Sequence, residues 1–157
     1  MMRLLARLFG RDDPAFAEAR LADSAAIAAI HADSFQRGWG EDEIRGLIGA
    51  HNVLGHRVAI GRKLVGFIVS RLAAGEAEIL SVAIAPAWRG RALARPLLDL
   101  HLRRLAGLGV RTVFLEVGPN NAPARALYKR AGFFEVGQRQ GYYQSGAAAL
   151  VLRRNLA

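Results

Sequence analysis

Between Glu78 and Tyr128 the order of sequence periods leaves few folds open. The stretch Glu78-Ile79-Leu80-Ser81-Val82-Ala83-Ile84 has the apolar, β-branched content of a strand, and Pro86 ends it. A basic turn follows Trp88, running Arg89-Gly90-Arg91-Ala92-Leu93-Ala94, and then a helical stretch to about Leu108, where Gly107 and Gly109 stop it. Thr112–Val117 opens with β-branched residues that suit a second, buried strand. A short helix over Ala122–Ala131 carries Pro123 early, where a missing N–H costs little, and stops at Gly132. Strand, cationic turn and helix in this order make an anion cradle, because the free N–H groups of a helix start face the same way as the positive end of its dipole. Such a chain is fitted to hold a phosphorylated group beside the carboxylate of Glu116 and the phenol of Tyr128.

Upstream, Phe16–Leu21 reads as a first strand. Asp23 reads as the cap of a helix to about Phe35, and Glu41–Ile48 as a second helix with acids in its first turn. Val58–Ile60 and Leu64–Leu72 flank the turn Gly61-Arg62-Lys63, and Glu76–Ile84 completes three antiparallel strands. Phe133–Tyr143 and Ala147–Leu152 read as a closing hairpin. The opening residues place Arg3, Arg7 and Arg11 opposite Leu4, Leu5 and Leu8, so residues 1–14 are read as a basic amphipathic extension ahead of one domain over 15–157.

With 157 residues, 52% of them hydrophobic, one core is within reach without staples. The absence of cysteine excludes a disulfide framework, a thiol nucleophile and a cysteine-based zinc site. The formal charge of +9 favours anionic ligands, acidic proteins or nucleic acid through long-range attraction, although arginine and alanine enrichment together also follow from codon usage. The N-terminal apolar run is broken by Arg7, and no later run reaches the ~20 apolar residues of a spanning helix, so a cytoplasmic protein is expected. His31, His51, His56 and His101 lack metal-site spacing and read as surface or helix histidines, and no metal is expected.

The turn Arg89-Gly90-Arg91-Ala92-Leu93-Ala94, Glu116 within Leu-Glu-Val, Asn121, Ala126-Leu127-Tyr128, Gly132-Phe133 and Tyr142-Tyr143 together resemble the GNAT superfamily of acetyl-CoA-dependent N-acetyltransferases, over roughly Ala19 to Asn155. Within it the series is similar to the RimI branch, which acetylates the N-terminal alanine of a small-subunit ribosomal protein. The resemblance implies an α/β (α+β) GNAT fold, with a mixed, mostly antiparallel central sheet of about seven strands flanked by about four helices and splayed at the cofactor site. It implies acetyl-CoA as donor and a protein N-terminus, such as that of a ribosomal protein, as acceptor. No nucleic-acid function and a monomer or weak dimer go with it.

The resemblance also assigns residues. Val82, Ala83 and Ile84 would offer main-chain groups to the pantetheine arm, and Arg89, Gly90, Arg91, Ala92, Leu93, Ala94 and Arg95 would hold the pyrophosphate, with Asn121 touching the cofactor nearby. Spacing alone reads Glu116 as a carboxylate paired with one of the many arginines; the matched Asn121 and Tyr128 turn the reading to a general base, partly desolvated with its pKa raised. An isolated helical tyrosine reads as core, whereas Tyr128, twelve residues after Glu116, reads by resemblance as the general acid. Trp39, Arg139, Tyr142 and Tyr143 fall in segments that border the acceptor groove, one of the two tyrosines serving only for packing. Three residues depart from the pattern: Ala92 stands where glycine is usual and needs positive φ, Pro96 lies about a turn into the helix, and Ala148 replaces a frequent aspartate. A small-molecule or lysine acetyltransferase, or a non-catalytic module binding CoA or the ribosome, are the other readings the sequence leaves open.

Overall fold

Alternating buried and accessible residues along Glu76–Ile84 and Thr112–Val117 put both strands in the middle of a sheet covered by helices. The computed structural model describes residues 13–140 and 148–156. The extension expected over 1–14 therefore lies outside the described residues except for Asp13 and Pro14. In chain order the elements are β1 (Pro14–Glu18), α1 (Ser24–Ser34), α2 (Glu41–Ile48), β2 (Val53–Ile60), β3 (Lys63–Ala73), β4 (Glu76–Ile84), α3 (Ala94–Gly107), β5 (Thr112–Val117), α4 (Ala122–Arg130), β6 (Phe134–Arg139) and β7 (Ala149–Asn155). The seven strands form one sheet in the order β1-β2-β3-β4-β5-β7-β6. Every neighbouring pair is antiparallel except β4 and β5, which are parallel and joined through α3. This is the mixed, mostly antiparallel architecture with four flanking helices that the resemblance implied.

The helices divide between the two faces. On one, Leu97, Leu98, Leu102 and Leu105 of α3 pack with Val113, Leu115 and Val117 of β5 and with Tyr128 of α4. On the other, Ile27 and Ile30 of α1 and Ile44 of α2 pack on Phe67 and Val69 of β3. Gly66 lets β3 pass closely under its neighbours, because a Cβ there would stand 2.5 Å from Cδ1 of Ile84 and 2.8 Å from Cγ1 of Val58. Among the described residues no helix is long and apolar enough to cross a membrane.

Several local expectations shift. The first strand lies at Pro14–Glu18 rather than Phe16–Leu21, since an edge strand accepts a proline at its start and Leu21–Asp23 turns instead into a single 3₁₀ turn. Asp23 precedes α1, but its carboxylate accepts the N–H of Arg20 at 2.8 Å and pairs with Arg57 at 3.1 Å instead of capping the helix. Strand β2 begins at Val53, five residues before the expected Val58, and carries His56 into the core. There His56 Nδ1 lies 2.7 Å from His101 Nδ1, and His101 Nε2 lies 2.7 Å from Ser70 Oγ. The reading as surface or helix histidines is corrected for His56, which is buried on a strand, whereas His101 does sit on a helix but is buried, and the two bury their rings through these polar contacts.

Candidate active site

Parallel pairing of β4 with β5 stops at Ile79 opposite Leu115. Beyond that point Ser81–Ile84 pair only with β3, and Glu116 and Val117 only with β7, so the sheet splays in its middle. The register shift between Val69 and Ser70 inserts Leu80 as an extra residue on β4 and turns its outer edge away from β5. Val82, Ala83 and Ile84 thus border the splay with one main-chain edge lacking a strand partner.

The basic turn closes one end of the splay. Gly90 has φ 75° and Ala92 φ 57°, the left-handed region in which an alanine is strained. No side chain caps the first turn of α3, and nothing stands within 4 Å of where a Cβ on Gly90 would lie. Pro96 is the third residue of α3, where its missing N–H removes no bond within the helix; α3 starts after the turn, and the cradle keeps its shape. The arginines take different parts. Arg89 donates to Ile84 O at 3.0 Å and to Ser34 Oγ at 3.1 Å, bracing the end of β4 against α1. Arg91 stacks on Trp88 at 4.6 Å, and Arg95 pairs with Asp99 at 3.0 Å along the helix. Asn121 accepts the N–H of Ala124 at 3.3 Å and so caps α4. An open strand edge leading to a helix start with free N–H groups fits an extended amide-bearing arm ending in a diphosphate.

On the α1 and α2 side of the splay, Trp39, Arg71, Glu78, Leu80, Glu116 and Arg139 surround a cleft of about 220 Å³. Phe114 and Val151 extend the same face into an adjoining hollow of about 330 Å³, which also touches Arg71, Glu78 and Glu116. Three residues assigned from the sequence, Trp39, Glu116 and Arg139, therefore meet at one place. Arg139 donates to both oxygens of Glu116, at 3.2 and 3.3 Å, while the Glu116 side chain keeps 18% of its surface accessible. The arginine pairing read from the sequence and the cleft position a base needs are present together. Tyr142 and Tyr143 lie outside the described residues.

Tyr128 takes the other side. It is buried in the core beneath α3 and α4, edge-on to Phe133 at 5.6 Å, and is not part of the cleft lining. Burial pushes its phenol further above the ordinary tyrosine value, so it holds its proton. Two residues of the site escaped the sequence reading. Glu78 gave no signal beyond strand alternation, and His31, buried on α1 against Trp39, gave none beyond its place on a helix.

Residues 19–133 match the model of the acetyltransferase (GNAT) family. The chain is similar to the N-alpha-acetyltransferase RimI of Mycobacterium tuberculosis, 42% identical over 100 residues that cover 60% of this chain and 61% of that protein. It is also similar to the ribosomal protein bS18-alanine N-acetyltransferase of Escherichia coli (strain K12), 36% identical over 81 residues that cover 52% and 55%. The chain spans from 21% to 70% of the lengths of the curated relatives it matches, and 55–61% of these two. The crystal structure of the ribosomal-protein-S18-alanine N-acetyltransferase from Escherichia coli superposes with a TM-score of 0.85 at 25% identity, over 92% of this chain and 95% of that one.

Proposed function

Because the chain belongs to the GNAT acetyltransferase family, we propose that it is an acetyl-CoA-dependent N-acetyltransferase acting on the N-terminal α-amine of a protein, with an alanine-led ribosomal protein as the favoured acceptor. The observation that carries this reading is the splay, where the pairing of β4 with β5 ends beside Glu116, with Tyr128 on the opposite face of the sheet. Acyl transfer needs a base near the entering amine and an acid near the departing thiolate, and a carboxylate and a protonated phenol lie on the two faces.

Acetyl-CoA, when bound, supplies an acetyl group already activated as a thioester. Main-chain groups of Val82, Ala83 and Ile84 hold the pantetheine arm as if it were a strand. The turn from Arg89 to Arg95 holds the diphosphate through its N–H groups, with Arg91 adding charge and Arg89 keeping the turn in place. Asn121 secures the start of α4 and so the position of Tyr128. Glu116 accepts a proton from the acceptor ammonium, directly or through water, once Arg139 yields its carboxylate to the entering amine. Tyr128 delivers its phenolic proton toward the sulfur side. Trp39 and Arg139 flank the acceptor.

An α-amine also suits a modest base. With a pKa of ~8 it is roughly 10% neutral at pH 7, and freeing it costs about 1.4 kcal/mol, against about 4.6 kcal/mol for a lysine side chain of pKa ~10.4. The test is side-by-side turnover of an alanine-led peptide, a lysine peptide with a blocked N-terminus, and a polyamine. Acetylation of the first alone is expected. Preference for either of the others replaces the acceptor class, and acetyl-CoA binding without CoA release on any amine replaces the enzyme reading with that of a binding module.

A further inference from the structure

His31 is packed directly behind Trp39, which lines the cleft. Its ring is buried near the end of α1, with only 3% of the residue accessible. The main-chain N–H of Trp39 donates to its Nδ1 at 2.9 Å, and the indole lies on the imidazole at 4.3 Å with the rings 14° apart. Phe35 closes the other flank at 4.4 Å, and Phe67 of β3 stands behind at 6.3 Å. The loop between α1 and α2 is also held close at Gly38, where a Cβ would meet Cα of Ala32 at 2.9 Å. Trp39 in turn forms part of the cleft wall that includes Glu116 and Arg139.

We propose that His31 is a positioning residue that fixes Trp39 as a wall of the acceptor cleft and thereby sets how tightly the acceptor binds. Only the neutral ring with its hydrogen on Nε2 can do this, because Nδ1 must accept. A second proton turns Nδ1 into a donor facing a donor and puts a cation into a buried aromatic stack. Burial favours the neutral ring, and Glu43 of α2 is the charged neighbour that opposes it; from β3 the neighbour is the uncharged Phe67. At neutral pH the wall is therefore in place, and acid releases it.

The inference rests on the reading that this cleft takes the acceptor amine. Its test compares His31→Leu, which keeps volume and loses the acceptor atom, with His31→Asn, whose side-chain oxygen takes the place of Nδ1. With an alanine-led peptide, His31→Leu is expected to raise the acceptor KM about tenfold, one mislaid contact of roughly 1.4 kcal/mol, with the KM for acetyl-CoA within twofold. His31→Asn is expected to restore most of the loss. The ratio of the unaltered protein's acceptor KM to that of His31→Asn should also rise in acid, at a pH below the ordinary histidine range because burial lowers the His31 value, since the amine's own titration cancels. Normal turnover with an acceptor KM within twofold in His31→Leu overturns the inference alone. No acetylation of any amine by the unaltered protein overturns the functional reading and the inference with it.

If His31→Leu does not fold, Trp39 emission gives the answer in a Trp88→Phe background, where it is the one tryptophan left. An acid transition in that emission that His31→Asn abolishes supports the coupling. A transition that His31→Asn leaves unchanged overturns it.

Discussion

Acid should unfold this protein through a group that takes no part in its chemistry. His101 lies with no accessible surface between His56 and Ser70, and burial, followed by the proximity of His56, lowers its pKa from 6.5 to about 3. The folded state therefore keeps His101 neutral at pH 5, while the unfolded chain protonates it roughly 30 to 1. Stability from this group is complete above pH 6.5 and is lost progressively as pH falls toward 3. The loss between pH 7 and pH 5 is about 2 kcal/mol. His56, lowered chiefly by burial with Arg104 adding and Glu18 opposing, acts in the same direction. Urea unfolding at the two pH values measures the loss. With a slope near 2 kcal/mol/M, the midpoint of the unaltered protein should fall by about 1 M beyond that of His101→Gln, which can still hydrogen bond but does not titrate. Equal falls in both proteins would refute the assignment of the acid sensitivity to this buried pair.

Glu116→Gln should lower kcat for peptide acetylation by about a hundredfold or more while leaving the acetyl-CoA dissociation constant within twofold, as loss of a base does; calorimetry and a thiol-release assay check it, and unchanged turnover rejects the role. Tyr128→Phe should likewise slow turnover without weakening acetyl-CoA binding, seen in the same two assays. Ala92→Gly should raise stability by about 0.5–1 kcal/mol in urea unfolding, because relief of about 1–2 kcal/mol of left-handed strain outweighs the added freedom of the unfolded chain; no gain means the turn carries no strain. Gly66→Ala should cost about 1–3 kcal/mol in the same measurement, since the new methyl must push Ile84 and Val58 aside.

The middle of the fold was legible because each of its boundaries has a local chemical cause. Pro86 ends β4, glycines end α3, β-branched residues open β5, and Asn121 and Pro123 start α4. Ala92 was likewise legible as a residue in a glycine's conformation, and its φ of 57° shows the strain anticipated. The start of β2 was not legible. Gly55, His56 and Arg57 break the apolar pattern, and what buries His56 is His101, 45 positions later, which no local period announces. Pro14 hid the start of the first strand, which was read over Phe16–Leu21, because a proline is acceptable there only at an edge. Within the site, Glu116 was singled out by the resemblance and its arginine pairing by composition, but that the partner is Arg139 depends on β6 and β5 meeting through β7. Glu78 and His31 matter through neighbours in other elements, so their types alone gave nothing to read.

A crystal structure with CoA and an alanine-led peptide would bear most directly on the role of the splay. Expected is a pantetheine arm lying between Val82–Ile84 and Glu116–Val117, its sulfur within hydrogen-bond reach of the Tyr128 hydroxyl, and the peptide's amine beside Glu116 in the cleft walled by Trp39. An arm bound elsewhere, or a sulfur out of reach of the Tyr128 hydroxyl with the amine away from Glu116, would contradict transfer at the splay.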